Sequence, residues 1–420
     1  MRLTASPRRS FALDAGFYLI SALFALATAV FSEFYGYRIW GALAGAAYLA
    51  GLVQALLLFS GRVKLGRVLG SRFLPVWLTA GLGMLVPLIV LLVRRVQGVP
   101  WSEQPEVWVI ENSAIRLLHS GSPYLDLATL GRPPIVDDYT PYGVAMSVFG
   151  LPRALFGLSA VTDARVAFGL ASAVIVFVAL RVLGWPAKGA RVPVRAAQLI
   201  LACPLTTLTF AVAGDDLVIV SLMLLALSLL YRRRPVLCGG VIAVAVSIKL
   251  TASPALIVLT VAVFGMLGSR ALLRCCAAVI GVGVVVTVPV LLIDPHNFVE
   301  QVVKFPLGIG IAHSPAQSPL PGVLIGQLGP AGHDVAIALM AATALGIGLW
   351  LVLRPPRTAS DAAFRSAIGL GLAIMLSPAT RYGYLVYPLA LFGAAITLRA
   401  MENRDERAEN ALVAAIPANA

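Results

Sequence analysis

Gly214-Asp-Asp-Leu-Val-Ile-Val-Ser-Leu-Met-Leu-Leu-Ala-Leu-Ser-Leu-Leu-Tyr231-Arg-Arg-Arg234 decides how the whole chain is read. Two acids are followed by fifteen residues without a charge, and the run ends in three arginines. Such a run has no polar face to offer water, and arginines gathered at one end mark the cytoplasmic end of a helix that crosses a bilayer. The same unit recurs along the chain. Apolar runs lie at about 12–31, 39–60, 73–93, 142–158, 164–183, 196–213 and 217–231, then at about 236–248, 255–267, 277–293, 334–353, 366–376 and 383–398. A crossing takes roughly 20 residues, and several of these thirteen candidates are shorter.

Composition agrees. Of 420 residues 59% are hydrophobic and 12% charged, against about 25% charged in an ordinary soluble domain. The mean hydropathy is +0.91. A net charge of +13 invites a nucleic-acid reading. The basic residues instead sit in short clusters between apolar runs, the positive-inside pattern, so no nucleic-acid partner is expected. Cys203, Cys238, Cys275 and Cys276 lie in apolar segments without metal-site spacing and read as small core residues. The N-terminus carries Arg2, Arg8 and Arg9 ahead of an apolar run, with no small-residue cleavage site after it, and reads as a retained first span.

Charge sets the topology. Arg8 and Arg9, the 62–72 cluster, Lys188 with Arg191 and Arg195, Arg232–Arg234, Arg270 with Arg274, Arg354 with Arg357 and Arg365, and the tail from Arg399 to Arg407 all mark the inside. With both ends inside the crossings are even in number. The run at 142–158, interrupted by Pro152 and Arg153, is the one that does not cross, which leaves about twelve crossings in an all-α, polytopic helical bundle in the cell membrane. Two long segments, about 94–141 and 294–333, then lie outside and are expected to carry short amphipathic helices. The first contains Glu103, Glu106, Glu111, Asp126, Asp137 and Asp138, six of the nineteen acids, and all four histidines fall in or beside the two segments. Polar chemistry therefore belongs to the non-cytoplasmic side.

Two interrupted segments sharpen that expectation. Ser247-Ile-Lys-Leu-Thr-Ala-Ser-Pro254 and Ser377-Pro-Ala-Thr-Arg-Tyr-Gly-Tyr384 each break an apolar region toward the outside and each carries one cation, Lys249 and Arg381. Irregular backbone and charge at membrane depth are tolerated only against protein or a wet cavity, and helix ends freed by a break are places to receive a phosphate.

In order along the chain, these features resemble the GT-C membrane glycosyltransferases, and among them the polyprenyl-phosphate-mannose-dependent mannosyltransferases of actinobacteria, glycosyltransferase family 87. The resemblance rests on Glu106-Val-Trp-Val-Ile-Glu-Asn-Ser-Ala-Ile-Arg-Leu-Leu-His-Ser-Gly-Ser-Pro-Tyr124 in the first outer segment and on Asp137-Asp-Tyr-Thr-Pro-Tyr-Gly143 after it. Gly214-Asp-Asp216, Arg232-Arg-Arg-Pro235, Gly239-Gly240, Lys249 with Pro254, and Pro378-Ala-Thr-Arg-Tyr-Gly-Tyr-Leu-Val-Tyr-Pro388 continue it. It covers about 73–398, so residues 1–72 read as two additional helices and 399–420 as a cytoplasmic tail. It implies transfer of a sugar, mannose first, from a polyprenyl phosphate to a glycolipid or polysaccharide hydroxyl on the outer face, in one inverting step.

Under that resemblance Glu106 stands where the family normally has an aspartate base, with Glu111, Asp137 and Asp138 (and Glu103) as alternatives. Lys249, Arg381 and His313 are the candidates for the donor phosphate, and Asp215, Asp216 and Tyr139 for acceptor or sugar. Each has a plainer reading: a solvated surface carboxylate for Glu106, a short wet loop or an ion pair with Lys249 for the two aspartates, snorkelling for Lys249, a solvated loop for His313, and an interfacial belt for Tyr382 and Tyr384. No cofactor is expected, because the donor carries its own leaving group; adjacent acids can bind a divalent ion, but this pair alone does not indicate a metal. The rival from another class is a transporter of lipid-linked sugars or small molecules, which also uses broken helices with charges at depth. No inverted repeat supports it, and the carboxylates collect in one outer segment. A non-catalytic scaffold is the third reading.

Overall fold

A computed structural model of the chain describes residues 7–62, 66–186, 192–306, 310–312 and 318–415. It is helical throughout, with no strand among the described residues. The helices are α1 (Pro7–Phe31), α2 (Tyr35–Ser60), α3 (Leu74–Leu78), α4 (Val86–Val96), α5 (Pro105–Ser120), α6 (Leu151–Phe156), α7 (Ala164–Leu183), α8 (Val194–Ile200) and α9 (Pro204–Val212). They continue as α10 (Asp215–Tyr231), α11 (Pro235–Ile248), α12 (Ser253–Leu267), α13 (Ser269–Ile293), α14 (Pro295–Phe298), α15 (Pro321–Gly326), α16 (Pro330–Leu353), α17 (Ala359–Leu376) and α18 (Val386–Ala415). Prolines open many of them, a place where the missing N–H would have no intrahelical partner anyway.

Ten segments are long and apolar enough to cross a bilayer. The sequence reading expects about twelve crossings; the other two apolar runs, α10 and α11, form shorter helices of 17 and 14 residues. The 142–158 region does not make a long helix: it forms a 3-10 turn over Val144–Gly150 and then α6. One span, Leu74–Val96, is not a plain helix; a π-helical stretch, Thr79–Leu85, separates α3 from α4 at Gly81 and Gly83, just before Pro87. The last span runs without interruption into the tail, so α18 is one helix to Ala415.

The stretch 214–234 becomes the central element. Fourteen residues of α10 are buried, on every side of the helix, as a helix apolar all round requires. It packs against α7, α11, α17 and α18. By contrast α13 buries only Cys275 and Val290 and leaves Ile280, Val284, Val285 and Leu292 exposed, a face suited to lipid. The α1–α2 hairpin lies against the π-helical span and α9. Its helices approach so closely that a Cβ on Gly41 would sit 2.5 Å from the Ala25 carbonyl oxygen, the small-residue packing that lets helices associate in lipid.

The described residues of the chain's two long non-spanning segments, about 97–163 and 294–329, lie at one end of the bundle, here called the upper end. They hold each other. The Gln301 side chain accepts from the Thr140 N–H at 3.0 Å and donates to the Leu125 carbonyl at 2.7 Å. Ser122 Oγ donates to Asp294 Oδ2 at 2.7 Å. At the same end α9 stops before α10, α11 before α12 and α17 before α18, so three breaks in the bundle face one cap.

Candidate active site

Each break delivers a charge. Gly214 precedes α10 with φ of 91°, a left-handed conformation open to glycine without strain, and Phe168 packs where its Cβ would be, 3.2 Å away. The turn places Asp215 and Asp216 in the first helical turn, where negative charge is favoured by the helix dipole. Lys249 is extended (φ −151°, ψ 126°) between α11 and the 3-10 turn Leu250–Ala252, so its side chain leaves the helix and turns back. Its Nζ donates to Asp216 Oδ1 at 2.5 Å and lies 3.4 Å from Asp215 Oδ2. Tyr387 donates to Asp216 Oδ1 at 2.6 Å and Tyr142 to Asp215 Oδ2 at 3.2 Å. The Tyr142 and Tyr384 rings flank the ammonium, their centroids 5.2 and 4.9 Å from Nζ. All three charged side chains are buried. At several kcal/mol of desolvation per ion, a cluster like this persists only because every charge has a partner.

Arg381, extended between α17 and α18, reaches across to Glu106 in the first turn of α5 and donates from Nη1 to Oε1. The two residues are 275 positions apart in the chain. The other carboxylate oxygen, Oε2, is buried without a hydrogen-bond partner among the described residues. Glu106 also lies within electrostatic reach of Asp215, Tyr142, Tyr384 and Asp137. One polar centre therefore joins Glu106, Arg381, Asp215, Asp216 and Lys249 at the mouth of the bundle.

The remaining carboxylates of the first cap segment separate by environment. Glu111 is buried, and both its oxygens are held by Arg95 at 2.8 and 2.7 Å, with the Ala164 N–H on Oε1 at 3.1 Å. Asp138 is clamped by Arg132 through two bonds of 2.7 Å and by the Ile135 N–H at 2.8 Å; the Arg132 contact holds its carboxyl below the ordinary range. Its neighbour Asp137 moves the other way, raised by burial and then by the charges of Glu106 and Asp138. Burial also raises Glu103, against the pull of Arg95. Tyr139 is packed inside the cap, stacked on Phe305 at 4.3 Å and accepting from the Ala312 N–H at 3.1 Å. His313 lies outside the described residues.

Sequence reasoning passed over several residues now seen to matter. Tyr384 turns inward onto Lys249 instead of joining an interfacial belt. Tyr142 and Tyr387 anchor the two aspartates. Arg95, at the upper end of α4, bridges Glu103, Glu111 and Asp163. Arg165, buried, binds both oxygens of Asp163 at 2.9 Å and the carbonyls of Ser102 and Ala211 at 2.8 and 3.2 Å. A usable signal was present: Arg95 and Arg165 flank apolar runs at the end where the sequence reading expects few cations, which asks for an acidic partner.

The family model of glycosyltransferase family 87 matches residues 139–378, more than half of the chain. The chain belongs to glycosyltransferase family 87. It is a multi-pass membrane glycosyltransferase, and of the classes its sequence left open, the transferase is favoured over the transporter and the scaffold. No curated protein and no solved structure matches it. The part of this glycosyltransferase that matches the family contains Tyr142, Asp215, Asp216 and Lys249, while Glu106 precedes it and Arg381 follows it.

Proposed function

We propose that this glycosyltransferase transfers a sugar, mannose first, from a polyprenyl phosphate to a hydroxyl of an envelope glycolipid or polysaccharide on the non-cytoplasmic face. The observation that carries the reading is the Glu106–Arg381 contact at the mouth of the bundle. A base for the acceptor and a cation for the donor's phosphate stand side by side, each the other's partner. The donor phosphate takes over Arg381 and releases Glu106. The Glu106 carboxylate then accepts the proton of the acceptor hydroxyl as its oxygen bonds to the anomeric carbon. The bond from that carbon to the phosphate oxygen breaks with its electron pair on the phosphate, whose growing charge Arg381 stabilises. A single displacement inverts the anomeric centre. Base assistance of this kind is worth on the order of 10²–10⁴-fold, and a preorganised cation at the developing charge about 10²–10³-fold.

Lys249 has a different part. Its charge is already matched by two carboxylates, and it meets a phosphate only by giving one of them up. We place it as the residue that holds Asp215 and Asp216 toward sugar hydroxyls. An apolar groove of about 140 Å³, lined in part by Val246, Leu250, Val279, Phe298 and Val302, passes beside the Lys249 break; it suits the first isoprene units of a lipid donor.

The test is transfer by the purified chain from radiolabelled polyprenyl-phosphate-mannose to an envelope lipid fraction, beside the same assay with a nucleotide-linked mannose. Label is expected to move from the lipid-linked donor alone, and to do so in EDTA. Transfer from the nucleotide sugar, or from no lipid-linked hexose or pentose, would contradict the reading.

A further inference from the structure

Close to Glu106 in the chain, the cap holds a cavity of about 260 Å³ lined by Pro100, Trp101, Glu103, Pro105, Trp108 and Asp137. At ~30 Å³ of liquid per water it has room for about eight or nine waters, the scale of one sugar ring. Two indoles and two carboxylates around a small cavity are the groups that recognise a sugar: aromatic faces cover the C–H face of a pyranose, and carboxylates accept from its hydroxyls. No arginine or lysine lines the cavity, so it repels a phosphate and admits a neutral polyol. One oxygen of Glu103 pairs with Arg95 at 3.0 Å, and the other, Oε2, is buried without a partner among the described residues. Among the described residues no group of three or more acidic, histidine or cysteine side chains is arranged to hold a metal ion.

The wall is held in an unusual shape. Trp101 has φ of 58°, a conformation that costs a bulky residue energy and persists where surrounding structure imposes it. Its carbonyl accepts from the Gly36 N–H at 2.8 Å, an approach for which a Cβ at residue 36 would lie 3.0 Å from that oxygen. Its ring meets Phe34 at 4.9 Å between centroids, yet the side chain stays half exposed. Gln104, three residues on at the start of α5, donates to Tyr37. The tip of the α1–α2 hairpin thus fixes the orientation of Trp101, and it does so from outside the stretch that matches the family, as do all six lining residues.

We infer that this cavity is the subsite for the acceptor's terminal sugar, with Trp101 and Trp108 as its platforms, Glu103 and Asp137 as its hydroxyl acceptors, and the α1–α2 hairpin as the buttress that sets its shape. Glu106 follows Pro105, one of the lining residues, and lies within electrostatic reach of Asp137, another, so a ring seated there lies close to the base. The inference rests on the transfer reaction proposed above and adds to it where the acceptor binds.

The experiment uses the full chain with octyl α-mannoside as acceptor and polyprenyl-phosphate-mannose as donor, and compares wild type with Trp108→Ala, Trp108→Phe and Trp101→Ala. The acceptor KM is expected to rise roughly tenfold or more in each alanine variant, the scale of one lost aromatic contact. The donor KM should stay within about twofold, and Trp108→Phe should recover most of the loss. A binding readout needs no turnover: octyl α-mannoside should quench intrinsic fluorescence of the wild type, less so in Trp108→Ala, and calcium should not. Absence of transfer by wild type with the quench intact would sink the proposed reaction and leave the subsite standing. Transfer with an unchanged acceptor KM in folded Trp108→Ala and Trp101→Ala, or a quench by calcium alone, would overturn the subsite.

Discussion

Two ionic clusters share the upper end of the bundle, and each sets two cations against three carboxylates. One joins Arg95 and Arg165 to Glu103, Glu111 and Asp163; the other joins Lys249 and Arg381 to Glu106, Asp215 and Asp216. They differ in what surrounds them. In the first, guanidinium groups and backbone bonds saturate both oxygens of Glu111 and Asp163, and Arg165 and Asp163 are 0% and 1% exposed. In the second, a lysine and three tyrosines stand in place of one of the two arginines, and Arg381 and Glu106 are 36% and 20% exposed. The same charges in a closed, bidentate setting make a clamp between the cap and α4 and α7. Loosened and opened to one side, they make a place where a substrate can exchange for an internal partner.

The comparison is broken most directly by removing one cation from each cluster. Arg95→Met leaves Glu111 and Asp163 short of a buried partner, and such a loss costs about 3–5 kcal/mol. Thermal melting of the detergent-solubilised protein should fall sharply, with activity lost only as folded protein is lost. Arg381→Met should leave the melt nearly unchanged, because the site is partly open, and should lower transfer about 10²–10³-fold. If Arg381→Met unfolds the chain while Arg95→Met melts normally, the two clusters have been assigned the wrong way round.

A smaller effect sharpens the comparison within the cap, where Asp137 and Asp138 are neighbours shifted in opposite directions. Asp138 stabilises the fold above its unfolded pKa, and that contribution is lost as pH falls through its lowered folded value. Asp137 is raised, so its charged form is disfavoured, and stability is lost as pH rises through the folded value. Asp137→Asn should therefore melt slightly above wild type at neutral pH, with the gap closing under acid, while Asp138→Asn should melt below wild type at neutral pH. Equal melting of Asp137→Asn and wild type across pH 4–8 would remove the basis for setting the two apart.

Much of the fold was legible because bilayer solvation writes itself along the chain. Apolar runs, arginine clusters and the odd run at 142–158 are local features, and they gave an all-α polytopic bundle, ten of whose segments are long and apolar enough to cross a bilayer. The breaks at Gly214, Lys249 and Arg381 were legible for the same reason, since charge and irregular backbone at depth stand out against apolar flanks. The partners were not. Nothing in the local pattern sets Arg381 on Glu106 across 275 positions, or tells a tyrosine that anchors Asp216 from one at the interface. Nor does the pattern separate Glu106 from Glu111, five residues apart on α5. That difference depends on which side of the helix meets Arg95 and which meets the breaks.

Whether Glu106 is the base is the central claim, and transfer by Glu106→Gln beside Glu106→Asp is its most direct measurement. Glutamine keeps the shape and the hydrogen bond from Arg381 but cannot take the proton. Transfer from polyprenyl-phosphate-mannose should fall by about 10²–10⁴-fold with an unchanged melt, and aspartate, a shorter base, should retain part of the activity. Transfer at the wild-type rate by a well-folded Glu106→Gln would contradict the assignment and move the base to another carboxylate of the same centre.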